Sequence, residues 1–128
     1  MPTPCTPTAR GQRRVLIVED NRDSRETLRI LIGMWNFEVE VAQDGFDGVR
    51  AALDWEPDIA IVDIGLPGID GYEVARRVRR AFGGRVLLIA LTGYNGSEDR
   101  RLAFEAGFDE YMAKGADLDI LQGMLRVA

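Results

Sequence analysis

No histidine occurs anywhere in the chain, and there is one cysteine, Cys5. Without histidine there is no Ser–His or Cys–His nucleophile pair, no imidazole metal ligand and no histidine phosphodonor. A lone cysteine forms no internal disulfide, as expected in a reducing compartment. Long apolar runs are missing too: none approaches the ~18 residues of a membrane span. The opening "MPTPCTPTAR" has no basic segment followed by an apolar one, so no secretory signal is read there. The expectation is a cytoplasmic protein with no membrane partner. An excess of basic charge is also absent. Sixteen Lys and Arg face 21 Asp and Glu, a net charge of −5, which disfavours direct contact with nucleic acid. Whatever chemistry occurs must use carboxylates, hydroxyls, lysine and backbone.

The 128 residues are 46% hydrophobic and 29% charged, a composition that suits one folded domain with a core of its own. Three prolines and three threonines fall in the first eight positions. Residues 1–12 therefore read as an extended, solvated tail, and residues 13–128 as the domain. Five apolar runs follow: "VLIV" from Val15, "FEVEV" from Phe37, "IAIV" from Ile59, "VLLIAL" from Val86 and "YMA" from Tyr111. Segments with helical spacing lie between and after them: Leu28, Leu31, Ile32 and Trp35; Val49, Ala52 and Leu53; Val74, Val78 and Phe82; Leu102 and Ala106; Leu118, Leu121 and Leu125. Asp23 before Glu26, Asp70 before Glu73, and Ser97 before Glu98 and Asp99 read as helix starts. Gly83-Gly84 and Gly107 read as stops.

Strands alternating with helices predict a doubly wound α/β domain, (βα)5, around a parallel sheet. The runs at Val15, Ile59 and Val86 are continuously apolar, as strands covered on both faces should be. "FEVEV" alternates, with Glu38 and Glu40 opposite Phe37, Val39 and Val41, and is expected at an edge. Right-handed crossovers with order 2-1-3-4-5 place strands one and three side by side where the order reverses.

The residues ending these strands are chemically useful ones. The first run is followed by Glu19 and Asp20, the third ends at Asp63, the fourth at Thr92 and the fifth at Lys114. In a parallel sheet all these ends lie on one edge. Three carboxylates gathered there repel: at ~4 Å and an effective dielectric of ~20, each pair costs about 4 kcal/mol. Either one is protonated or a cation sits among them, and an all-oxygen site suits Mg²⁺. Lys114 adds a fixed charge and Thr92 a hydroxyl. This set suits phosphoryl transfer, with Asp63 as a nucleophile that forms an acyl phosphate. The loop "IGLPG" after Asp63 offers backbone that can approach a metal or phosphate closely.

From Arg14 onward the chain resembles the receiver domain of two-component response regulators. The resemblance rests on Glu19-Asp20, on "VDIGLPGIDGYE" around Asp63, on "ALTG" with Thr92 and on "YMAK" with Lys114, in that order. It implies a flavodoxin-like (βα)5 fold and phosphoryl transfer to Asp63 from the histidine of a sensor kinase or a histidine phosphotransfer protein. It implies Mg²⁺ held by Glu19, Asp20, Asp63 and the backbone carbonyl of Gly65, with Thr92 and Lys114 on the phosphoryl oxygens. Thr92 and Tyr111 match the switch residues, and Tyr94 a position that tunes dephosphorylation. The resemblance further implies signal output to a downstream protein target through the face of the fourth helix, fifth strand and fifth helix, and a monomer or weak dimer is expected. A stand-alone domain, or one cut from a hybrid kinase, with no output domain and no catalysis beyond its own phosphorylation and dephosphorylation, is the expectation. One position departs from the family: Gly115 follows Lys114 where Pro with a cis bond is usual. A cis bond without Pro costs about 2.5–4 kcal/mol, so a trans Lys114–Gly115 bond, or a mixture, is expected. Two alternatives are weighed beside this reading. One is an interaction module that has lost switching, supported by Gly115. The other is a haloacid-dehalogenase-like phosphatase, opposed by Gly65 where a second Asp is required. A nucleotide triphosphatase lacks its GxxxxGK[ST] loop, and a flavodoxin lacks a hydroxyl- and glycine-rich phosphate loop after the first strand.

Overall fold

The computed structural model describes residues 12–93, 97–115 and 118–127. The tail expected at 1–12, apart from Gln12, and the Tyr94 position lie outside these residues. The element order is β1 (Arg14–Val18), α1 (Arg22–Met34), β2 (Glu38–Ala42), α2 (Gly45–Trp55), β3 (Ile59–Asp63), α3 (Gly71–Phe82), a 3₁₀ turn (Gly83–Arg85), β4 (Leu87–Thr92), α4 (Ser97–Ala106), β5 (Glu110–Ala113) and α5 (Leu118–Val127). The sheet is parallel with order β2-β1-β3-β4-β5. This is the flavodoxin-like arrangement the sequence predicts, with β2 at one edge.

Side-chain parity divides the core into two layers. Val15, Ile17, Ile59, Ile61, Ile89, Leu91 and Met112 pack on one face with Ile32 of α1 and Leu121 and Leu125 of α5. Leu16, Val18, Ala60, Val62, Leu88 and Ala90 pack on the other with Ala52 of α2, Val74 and Val78 of α3, and Ala103 of α4. Neighbouring residues of β1, β3 and β4 thus enter opposite layers, which is why those runs are continuously apolar.

Two expectations about the helices need correction. Leu53 and Leu118, placed on apolar stripes by their spacing, are exposed. In α2 the face toward the sheet is Gly45, Gly48 and Ala52, and a Cβ on Gly48 would lie 2.8 Å from the Val18 side chain. Small residues let that helix lie close to β1 and rotate Leu53 outward. The start of α1 also differs. Asn21, not Asp23, caps it, accepting from the Ser24 N–H at 2.9 Å. Asp70 caps α3 as expected, accepting from the Glu73 N–H at 3.0 Å. Gly83 and Gly107 end α3 and α4 with positive φ. Trp35 caps the end of α1 and packs on the layer under α1 and α5, and Trp55 closes α2 beneath the Arg14 guanidinium. No described helix is long and apolar enough to cross a membrane.

Candidate functional site

Register decides which strand ends meet. Val18 pairs with Val62, so the next residues, Glu19 and Asp63, are neighbours across β1 and β3. Thr92 pairs with Ala113, which brings Lys114 to the end of β4. Parity then sorts the side chains. Glu19, Asp63 and Lys114 continue the alternation of Ile17, Ile61 and Met112, the layer covered by α1 and α5. Thr92 continues that of Leu88 and Ala90, on the side of α3 and α4. Tyr111, which packs on that same layer, shares its side with Thr92.

The expected acidic cluster forms. One carboxylate oxygen from each of Glu19, Asp20 and Asp63 lies within 4.8 Å of the others. Glu19 is 0% exposed and Asp63 5%, while Asp20 faces solvent. Lys114 Nζ stands between the two buried acids, 2.7 Å from Glu19 Oε1 and 3.0 Å from Asp63 Oδ2. Backbone donors fix the remaining oxygens: Asn21 N–H donates to Glu19 Oε2 at 3.0 Å and Gly65 N–H to Asp63 Oδ1 at 2.9 Å. Glu19 Oε1 is buried and has no aligned hydrogen bond among the described residues, its partner being the Lys114 charge alone. Arg25 Nη1 donates to the Glu19 carbonyl at 3.0 Å, bracing the turn from β1 into α1.

Burial and pairing oppose one another here. Burial pushes the Glu19 pKa up, and Lys114 and the Asn21 N–H offset this only in part. Asp63 feels the same burial, but the Gly65 N–H and Lys114 outweigh it and hold its pKa down. Burial alone would lower Lys114, yet Glu19 and Asp63 together raise it. Of the two buried acids, Glu19 is therefore the more readily protonated and Asp63 the more readily ionised.

Asp63 also opens toward α3 and α4, into a cavity of about 330 Å³ lined by Ile64, Gly65, Tyr72, Thr92, Gly93 and Asp99. Thr92 is buried at the end of β4. The sequence does not single out Tyr72, and it marks Asp99 only as part of a helix start. Tyr72 lies inside the quoted "IDGYE" stretch, but nothing in its spacing separates it from an ordinary core aromatic.

Two glycines set the backbone. A Cβ on Gly71 would lie 2.5 Å from the Asp63 carbonyl oxygen and 2.5 Å from Ile64 Cα. Only glycine lets the first turn of α3 sit against the end of β3. The Lys114–Gly115 bond is trans, as expected, since the described residues contain no cis peptide. Gly115 has φ +79, a region that L side chains rarely adopt and that proline's ring forbids. The loop departs from the family here, and Lys114 still reaches both acids.

Comparison with known proteins agrees with this geometry. Residues 15–126 match the family model of the response regulator receiver domain. The response regulator MprA of Mycobacterium sp. strain KMS is 33% identical over 113 residues, covering 88% of this chain and 49% of that protein. Among solved structures, a two-component response regulator of the LuxR family from Aurantimonas sp. SI85-9A1 is 30% identical, with a TM-score of 0.81 over 91% of this chain and 84% of that one. A CheY-like receiver domain protein from Methanospirillum hungatei is 26% identical, with a TM-score of 0.83 over 91% and 93% of the two chains. The chain spans about half the length of the curated relatives it matches.

Proposed function

Because the chain belongs to the response regulator receiver domain family, we propose that it is a phosphoacceptor whose nucleophile is Asp63. The observation that carries this reading is the division of labour on that carboxylate. Oδ1 is held by the Gly65 N–H, whereas the partner of Oδ2 is the ammonium of Lys114 at the end of a flexible stem. Oδ2 is thus the oxygen that attacks once Lys114 shifts to the incoming phosphoryl group. It adds to phosphorus while the P–N bond of a phosphohistidine on the partner kinase breaks, and the departing imidazole takes up a proton. An acyl phosphate on Asp63 results.

The donor set fits a hard dication: three carboxylates converge, and one buried oxygen, Glu19 Oε1, lacks an aligned hydrogen bond. Glu19, Asp20, Asp63 and the Gly65 carbonyl would hold Mg²⁺. Bound there, the ion supplies neutralisation of charge on the phosphoryl oxygens. Lys114 transfers its ion pair from Asp63 to the incoming phosphoryl group, and the Thr92 hydroxyl donates to the same group from the α4 side. Phosphorylation adds about −1.5 to −2 charges, which draw Thr92 inward and bias the position of Tyr111 beside it. The same groups present water to the acyl phosphate, so the domain catalyses its own phosphorylation and dephosphorylation. Against a phosphorylation-independent role, Lys114 meets Asp63 with glycine at 115.

Incubation with acetyl phosphate and Mg²⁺, followed by intact-mass measurement, tests the reading. The expected result is a gain of one phosphoryl group that disappears in Asp63→Ala and without Mg²⁺. No gain in the wild-type chain would overturn it.

A further inference from the structure

Helix α4 is fastened at both ends by one face of α3, and the two fastenings are unequal. Tyr72 and Arg79 are seven residues apart on α3, so they project from the same side. Arg79 serves the far end. Its Nε donates to the Gly107 carbonyl at 3.1 Å, and Nη2 reaches the same oxygen. Nη1 donates to the Gly83 and Val86 carbonyls at 2.7 and 2.9 Å, and Nη2 to Asp109 Oδ2 at 2.8 Å. Asp109 in turn accepts from the Leu88 N–H at 2.9 Å and donates its own N–H to the Leu88 carbonyl at 2.8 Å. One guanidinium therefore joins the end of α3, the start of β4, the end of α4 and the start of β5. The last turn of α4 and its exit are buried beside it through Ala103, Ala106 and Phe108.

The near end is held differently. The Tyr72 hydroxyl lies 3.5 Å from the Asp99 carbonyl, long for an O–H···O bond. This contact borders the cavity that contains Asp63 and Thr92. Among the described residues, α3 thus holds the end of α4 that faces the phosphoryl site by this one long contact, and the exit of α4 by three charge-assisted contacts from Arg79 to Gly107 and Asp109.

We propose that Arg79 is the pivot of α4: phosphorylation of Asp63 displaces the first turns of the helix about a C-terminal end that Arg79 holds still. This rests on the reading of Asp63 as phosphoacceptor. Arg79 touches no reacting atom and is a positioning residue. It makes α4 respond as a lever hinged at Gly107 rather than as a body that slides or melts.

Amide hydrogen exchange of the full chain tests this, with and without acetyl phosphate and Mg²⁺, in the wild type, Arg79→Met and Arg79→Lys. In the wild type, phosphorylation should change exchange within 98–102 and leave 103–109 within about twofold. In unphosphorylated Arg79→Met, the Phe108 and Asp109 amides should exchange at least roughly tenfold faster, the scale of losing hydrogen bonds to a charged group. The phosphorylation response should then spread over 98–109, with the phosphoryl mass gain retained. Arg79→Lys, which keeps the charge but reaches fewer acceptors, should fall between. A wild-type response equal at both ends of α4, or an Arg79→Met response still confined to 98–102, overturns the pivot. Failure of the wild-type chain to take up phosphate rejects the phosphoacceptor reading instead. The unphosphorylated comparison still decides the clamp: unchanged exchange at Phe108 and Asp109 in Arg79→Met sinks it.

Discussion

Glu19 is completely enclosed, and under the proposed function its titration should govern how the site meets a cation. Its folded pKa is raised by burial from the ordinary 4.5. The stability this contributes to the metal-free protein is complete below that value and is lost as pH rises through the raised folded pKa. Asp63, depressed from 3.8, has the opposite sign, its contribution being present above 3.8 and lost as pH falls through the lower folded value. Lys114, raised from 10.5, stabilises below 10.5 and ceases to as pH rises through its folded pKa. A dication on these carboxylates requires Glu19 ionised, so metal and proton compete. Mg²⁺ affinity should fall as pH drops through the Glu19 pKa, and proton release on binding should grow as that pH is approached. Calorimetry in two buffers of different ionisation enthalpy measures that release directly; pH-independent binding with no release would contradict the assignment.

The residues were unequally legible. Glu19, Asp63, Thr92 and Lys114 could be read because each ends an apolar run, and parallel topology sends all such ends to one edge. Arg79 could not. It stands in the cluster Arg76, Arg77, Arg79 and Arg80, which reads as a solvated helix face. Arg76 and Arg77 fit that reading, pairing with Glu73 at 3.1 and 2.9 Å. The acceptors at Gly107 and Asp109 lie 28 and 30 residues further along the chain from Arg79, and no local pattern announces them.

Among elements, α3 carries the heaviest positional demand. Its first turn rests on the backbone of Asp63 and Ile64 through Gly71, and Asp70 caps it. Gly71→Ala places a methyl where backbone already lies at 2.5 Å, and overpacking against rigid neighbours costs about 1–3 kcal/mol or more. The variant should lose stability of that order by urea unfolding with an unchanged m-value, and lose acetyl phosphate reactivity, since the shift falls on Asp63 itself. Wild-type stability and reactivity would show that the loop yields freely. Helix existence was legible from spacing, but helix facing was not always so. The α2 stripe of Val49, Ala52 and Leu53 misplaced Leu53, because Gly45 and Gly48 define the close-packed side and carry no apolar signal. Strand order was legible for a stronger reason: continuous apolar runs need cover on both faces, and the alternating run then has only an edge to occupy.

For the whole molecule, the account reduces to a carboxylate held ionised at a sheet edge and a surface that responds when it gains charge. With a net charge of −5, the further negative charge of a phosphoryl group is tolerable only where Lys114 and a dication offset it locally. That is why one aspartate should react while twenty other acids do not. The decisive measurement is chemical. After treatment with acetyl phosphate and Mg²⁺, borohydride reduces an aspartyl phosphate to homoserine, and peptide mass spectrometry locates the reduced residue. The account predicts homoserine at position 63 and nowhere else. Homoserine at another acid, or an unreduced Asp63 in a chain that has gained phosphate, would contradict it.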